Sequence, residues 1–295
     1  MNLSAQINCI EKDGLILNTE FKNLLEKNNI DTYEAIWCIK NGEQVKKIKE
    51  RSVTRIEIET ENNKKRVFYL KRHNRKCLGI SRLFAFFLSK NFVSEGRKEF
   101  TNICDFRKRN LPTVVPVAAG EKFFRFFWID SLLLTEDCSP FLPLSDILEI
   151  RPDFFKRKGG ERKKKILLRG IALLARSMHN KGLNHRDFNS THILVNYDSG
   201  SNMPQFSLFD MQRVDKNKFL SFRWMIKSLA RLFYSLPKET FNEKDRIYIF
   251  LSYKGKTDLN ITDLNIIDKI QWFYINRKTA KIKKHTEKKP ERKEI

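Results

Sequence analysis

A change of periodicity near Thr135 constrains this chain most. From Gln44 onward three stretches, 45–49, 53–59 and 66–72, are rich in β-branched and aromatic residues, alternate in part, and are parted by polar breaks. They read as strands, with ETENNKK (59–65) as a hairpin turn and Lys71 closing the third in VFYLK. Phe100, Ile103 and Phe106 then recur at helical spacing behind Ser94, a natural N-cap, and Pro112 follows that helix. Two further strands, 114–118 and 123–134, are expected around a turn at Gly120.

After Thr135 the pattern is helical. A short helix is expected over 144–150. A long one is expected over 162–181, with Ile166, Gly170, Leu173, Leu174 and Met178 near one face and Gly182 as its stop. Two short strands, 192–196 and 205–209, precede three helical segments at 220–235, 242–253 and 262–275. Residues 1–40 read as an N-terminal extension with one short helix at 21–27.

The chain has 295 residues, enough for one large domain or two small lobes with a full core. Its net charge of +23 favours polyanionic partners: nucleotides, nucleic acid or an anionic membrane face. Residues 277–295 hold nine Lys/Arg against three Glu and read as a disordered basic tail; a second basic cluster spans 151–169. Five scattered cysteines without a CxxC pair argue for a reducing compartment and against a disulfide frame or zinc site. The polar residues 2–8 are unlike a secretory leader, and the apolar run 80–93, broken by Arg82 and Lys90, is too short to span a bilayer. A soluble or peripheral protein is expected.

Between the long helix and the next strand lies GLNHRDFNSTHILVN (182–196). A small sheet with one helix, followed by a helical half carrying His185-Arg186-Asp187 on a loop, is similar to the protein-kinase-like order. That is an α+β fold of two lobes, here 41–136 and 137–276. Phosphoryl transfer in that order needs positioning and charge neutralisation more than covalent chemistry. Asp187 would orient the acceptor hydroxyl and accept its proton, with His185 and Arg186 holding the loop. Asp210, after the apolar FSLF, would ligate Mg²⁺. Lys71 would contact the α- and β-phosphates, and Glu99 in the following helix would hold it. Each residue alone has a bland reading: Lys71 is one of 58 basic residues, Glu99 a solvated helix position, Asp210 the start of a turn. In this order, on these elements, they specify a kinase.

The chain also resembles the lipopolysaccharide core heptose kinases of the Kdo/heptose kinase superfamily. The resemblance covers roughly 41–255. It rests on NGEQVKKIKERSVTRIEI, YLKRH, KEF, LTED, MHNKGLNHRDFNSTHILV, FSLFDMQRV and FRWMIKSLARLFYS. It implies an ATP- and Mg²⁺-dependent sugar kinase that phosphorylates an inner-core heptose on the cytoplasmic face of the bacterial inner membrane. Glu136, in LTED, joins Lys71, Glu99 and Arg51 among the nucleotide-site residues. His192 stands at the second metal position beside Asp210, although imidazole is a poor Mg²⁺ ligand.

Three features depart from ordinary protein kinases. KERSVT (49–54) has no glycine, so Lys49, Arg51 or Arg55 would supply charge to the phosphates; His192 replaces an Asn; Met211-Gln212 follows Asp210. One feature departs from the heptose kinases: Ser228 falls where an acidic residue would brace the HRD loop. Asn189, two after Asp187, and the roughly eight residues between Asp210 and the next helix fit a small or lipid-linked acceptor better than a protein. The alternatives are a related kinase acting on Kdo or a protein hydroxyl, and a non-catalytic membrane-associated relative. No nucleic-acid partner is expected, because no basic motif is interleaved with aromatics. The lipopolysaccharide precursor and an anionic membrane surface are the partners implied, with 83–88 (LFAFFL) and the basic tail as candidate anchors.

Overall fold

The computed structural model describes residues 7–48, 50–77, 93–124, 128–197 and 203–286. Lys49, the 83–88 segment and the last nine residues lie outside them. The chain forms two compact units, Met1–Ser139 with Leu208–Arg213, and Pro140–Ser207 with Val214–Ile295.

The first unit is built on seven strands: β1 (Cys9–Lys12), β2 (Leu15–Asn18), β3 (Glu43–Ile48), β4 (Arg51–Glu59), β5 (Lys65–Cys77), β6 (Pro116–Phe124) and β7 (Trp128–Glu136). Their order across the sheet is β1-β2-β6-β7-β5-β4-β3. In β4 and β5 the period of two is clear: Ile56, Ile58, Phe68 and Leu70 are buried, while Glu57 and Glu59 face water. The β4–β5 hairpin turns where ETENNKK predicts it, closed by Thr60 N–H to the Lys64 carbonyl at 2.7 Å, with Asn63 left-handed at φ 56°.

The buried face of this sheet is covered by α1 (Lys22–Lys27) and α2 (Tyr33–Trp37). Phe21, Leu25, Tyr33 and Ile36 join Ile56, Phe68, Leu70, Val117 and Leu134 in one cluster, and Phe21 meets Phe68 edge-on. The described residues 9–37 are thus packed into the first unit. β2 pairs with β6, and the two helices add Leu25, Tyr33 and Ile36 to the core cluster. The helix expected at 21–27 is α1, whereas β1, β2 and α2 escape sequence periodicity because each is only four or five residues long.

Helix α3 (Glu95–Lys108) packs on β5, β6 and β7. Ser94 caps it, accepting from Arg97 N–H. Side chains alternate along β5, so Lys71 projects to the face opposite Leu70, where α3 lies. Gly96 brings α3 close to the sheet: a Cβ there would sit 2.3 Å from the Leu132 carbonyl oxygen. Gly120 does not make the expected turn. It lies inside β6, opposite Leu132, where a Cβ would come within 2.6 Å of the Tyr33 ring. Close packing, not chain reversal, is why glycine stands there.

The second unit holds α4 (Leu144–Ile150), α5 (Gly160–Asn180), α6 (Ser221–Ser235), α7 (Glu243–Lys254) and α8 (Ile261–Thr286). Helix α5 packs on α6 and α7 through Leu167, Leu168, Ile171, Ala175 and Met178. This face is rotated from the expected one, and Leu173 is 41% exposed. Buried Lys164 of α5 pairs with Asp245 of α7 at 3.0 Å. Asp245 and Asn242 form the capping box that starts α7, and Gly255, left-handed at φ 71°, ends it. The strands β8 (Leu142–Pro143), β10 (Ile193–Asn196) and β11 (Gln205–Leu208) form one small sheet. A second comprises β9 (Leu183–His185) and β12 (Val214–Lys216). Among the described residues no helix is long and apolar enough to cross a membrane.

Candidate active site

In the first unit, Lys71 Nζ donates to Glu99 Oε1 at 2.6 Å. The pair is almost dry: the Lys71 side chain is 11% exposed and that of Glu99 1%. Lys71 also lies 3.5 Å from Asp210 Oδ1, and Arg51 Nη2 reaches the same oxygen at 3.3 Å. Asp210 is left-handed, φ 59°. A buried bond from Asn102 Nδ2 to the Met211 carbonyl, 2.7 Å, and a contact of Gln212 with His73, 3.2 Å, hold the residues after it. Lys71, Glu99, Arg51 and Asp210 thus meet as one charged cluster. Of the basic residues in and beside the glycine-free turn, Arg51 joins this cluster, while Arg55 pairs with Glu57 at 3.1 Å.

Glu136 is not among the carboxylates gathered at Lys71. Its carboxylate accepts from Arg66 Nε at 2.9 Å, and the Arg66 guanidinium covers the Phe21 ring at 4.9 Å. The Glu136 side chain therefore braces β5 against β7.

In the second unit the HRD loop follows β9. His185 is fully buried, and its Nδ1 accepts from the Asp187 N–H at 3.1 Å. His192 Nδ1 lies 2.9 Å from the Asp187 carbonyl. A carbonyl only accepts, so that nitrogen carries the proton. The two imidazoles stack at 5.8 Å and clasp the Asp187 backbone from both sides. His192 thereby gains a bracing role that sequence reasoning missed. Asn189 is tied by Thr191, whose N–H and hydroxyl donate to its Oδ1 at 2.9 and 2.6 Å. Arg186 is exposed, with Nε 3.9 Å from Asp215 Oδ1.

The sequence pattern of the lipopolysaccharide kinase (Kdo/WaaP) family matches residues 35–253. The chain belongs to that family. It is 25% identical over 242 residues to a lipopolysaccharide core heptose(I) kinase of Pseudomonas aeruginosa, covering 81% of this chain and 85% of the relative. It is 24% identical over 208 residues to the enzyme so named in Escherichia coli K12, covering 70% and 75%. Among solved structures, WaaP in complex with acyl carrier protein superposes with a TM-score of 0.64 at 23% identity, over 90% of this chain and 98% of that one. The kinase-like fold expected from the element order is the fold of this kinase.

Beneath the HRD loop lies a buried polar network. His179 Nε2 meets Asn184 Oδ1 at 3.2 Å, and the Tyr253 hydroxyl meets His179 Nδ1 at 2.8 Å. Ser228 Oγ donates to Asn184 Oδ1 at 3.0 Å, and Asn184 Nδ2 donates to Asp215 at 2.9 Å. Asn184 Oδ1 only accepts, so His179 carries a proton on Nε2, and burial favours the neutral ring. Ser228, at the position expected to brace the loop, does so through Asn184 rather than by a charge. No sequence signal pointed to His179, Asn184 or Tyr253, because they are scattered and become neighbours only on folding.

Burial pushes the His179 imidazole down to about 4, against a smaller upward pull from its bond to Asn184. The unfolded chain takes that proton near the ordinary 6.5, the folded chain only near 4. The contribution of neutral His179 is thus complete above pH 6.5 and is lost as pH falls towards 4, by roughly 3 kcal/mol. Urea midpoints measured from neutral to mildly acid pH should fall more steeply for the wild type than for His179→Gln. Equal slopes would place the acid sensitivity elsewhere.

Proposed function

We propose that this kinase transfers the terminal phosphoryl group of ATP to a hydroxyl of an inner-core heptose of lipopolysaccharide, working peripherally on the cytoplasmic face of the inner membrane. The observation that carries the reading is the Lys71–Glu99 pair at 2.6 Å with Asp210 3.5 Å from the same ammonium. Keeping a desolvated cation beside a second carboxylate is costly for stability alone; it is what phosphate binding requires. Lys71 and Arg51 offer the positive charge for the phosphate oxygens. Asp210 offers the hard carboxylate oxygen that Mg²⁺ prefers, one or two such groups plus phosphates being its usual protein set. When bound, Mg²⁺ offsets charge on the phosphates.

Asp187 orients the acceptor hydroxyl and takes its proton, with His185 and His192 fixing its backbone. The names of the relatives support heptose as the acceptor. The test is purified protein with labelled ATP, Mg²⁺ and dephosphorylated lipopolysaccharide core. Mass spectrometry should place one new phosphate on a heptose. Label on Kdo or on protein instead would reassign the acceptor.

A further inference from the structure

In the second unit a cleft of about 560 Å³ opens between β12 and α6. That lies within the roughly 300–1,000 Å³ usual for ligand pockets. Arg186, Lys216, Arg223, Lys227 and Arg231 line it against a single carboxylate, Asp215. Arg223, Lys227 and Arg231 recur every four residues along α6, so they share one helix face, where like charges repel. Burial lowers the Lys227 ammonium, and Arg223, Arg231 and Arg186 lower it further, with Asp215 pulling the other way. Such a field is completed by an anion, and guanidinium forks match phosphate oxygens.

A second observation adjoins the first. Phe219 is 97% exposed, Phe222 51% and Leu220 41%, at the start of α6. Leu220 also lines the cleft. A phenylalanine left wholly in water between Lys216 and Arg223 is unfavourable in a soluble surface. It suits a bilayer interface, with rings in the acyl boundary and cations among the headgroups.

We propose that the cleft holds the phosphate of a membrane lipid headgroup while Phe219, Leu220 and Phe222 enter the bilayer beside it. The second unit thus docks on an anionic lipid surface through the start of α6. The kinase reading enters at one link only: a lipid-borne acceptor gives the docking its purpose. A soluble phosphate shares the cleft's chemistry but has no use for the three apolar side chains, and that difference separates the two sources.

The test uses the full-length protein and vesicles of phosphatidylcholine with or without phosphatidylglycerol. The wild type should sediment with the anionic vesicles. Phe219→Asp with Phe222→Asp should weaken binding by at least about tenfold, since burying one phenylalanine is worth that much or more. Phe219 is wholly exposed and Phe222 half-exposed, and an unchanged far-UV circular dichroism spectrum checks that the variant keeps its fold. Arg223→Glu with Lys227→Glu should weaken binding and flatten its salt dependence, because surface charges are screened within about 8 Å at physiological salt. A Phe219→Trp variant should gain blue-shifted emission quenched by brominated lipid. Unchanged vesicle binding in both double variants overturns the proposal. So does a wild type that ignores vesicles yet binds inorganic phosphate in a Lys227-dependent way. Self-association lost in the Phe219/Phe222 variant, with vesicle binding unaltered, would also overturn it, by making a second copy the occupant. MgATP titrations on the same proteins should agree with one another. Failure of the wild type to bind MgATP would count against the kinase reading and leave the vesicle result standing.

Discussion

Asp187→Ala should lower phosphoryl transfer by about two to four orders of magnitude, the usual worth of a positioned general base. MgATP affinity should change little, because the charged groups assigned to the nucleotide, Lys71, Arg51 and Asp210, belong to the other unit. The fold should survive as well. The bonds that shape the loop, from the Asp187 N–H to His185 and from His192 to the Asp187 carbonyl, use its backbone and persist in alanine. The expected signature is therefore a fall in kcat with nucleotide binding and stability intact. Near-normal turnover in the purified variant would remove Asp187 from the chemistry.

Lys71→Met should abolish transfer and also unsettle the first unit. Glu99 is 1% exposed, and its Oε2 already has no hydrogen-bond partner. Removing the ammonium leaves that carboxylate buried and unpaired, at a cost of about 3–5 kcal/mol. Adding Glu99→Gln to Lys71→Met removes the stranded charge, so the double variant should regain most of the stability and none of the activity. A urea midpoint for Lys71→Met equal to the wild type would mean the pair is not the dry contact its geometry indicates. Activity returning in the double variant would take Lys71 out of phosphate binding. Asp210→Asn gives a contrasting result. Its carboxylate is 26% exposed, so the loss should appear in the Mg²⁺ dependence of ATP binding and hardly in stability.

Legibility in the sequence followed the span over which each signal is written. The HRD loop is three adjacent residues behind a twenty-one-residue helix, and the Ser94 cap and the ETENNKK turn are local chemistry, so all three read directly. Lys71, Glu99 and Asp210 could be placed because each sits on an element whose order is distinctive. What stayed hidden depends on distant partners. The pairing of Glu136 with Arg66, seventy positions away, is not written in either local stretch. Gly120 reads as a turn until Tyr33 packs on it. The three-residue strands β9 and β12 carry too few side chains for a period to show, yet their pairing sets Asn184 opposite Asp215 beneath the loop. Ser228 reads as a lost brace because a hydroxyl lacks the charge expected, and only folding brings it to Asn184 and His179 as part of a polar network.

The division of the chain has a consequence for how such a kinase can be recombined. Leu208–Arg213 belongs to the first unit although the sequence on both sides belongs to the second. Thr113 anchors the start of that short stretch through its hydroxyl to the Leu208 carbonyl at 2.7 Å, and Asn102 anchors Met211. A gene crossover at Ser139 would therefore not exchange the complete first unit. It would carry away the sheet and leave Asp210 behind with a foreign partner. Shuffling that keeps the first unit whole must move a discontinuous cassette, whereas α6 and the helices after it lie in one uninterrupted stretch from Val214 onward.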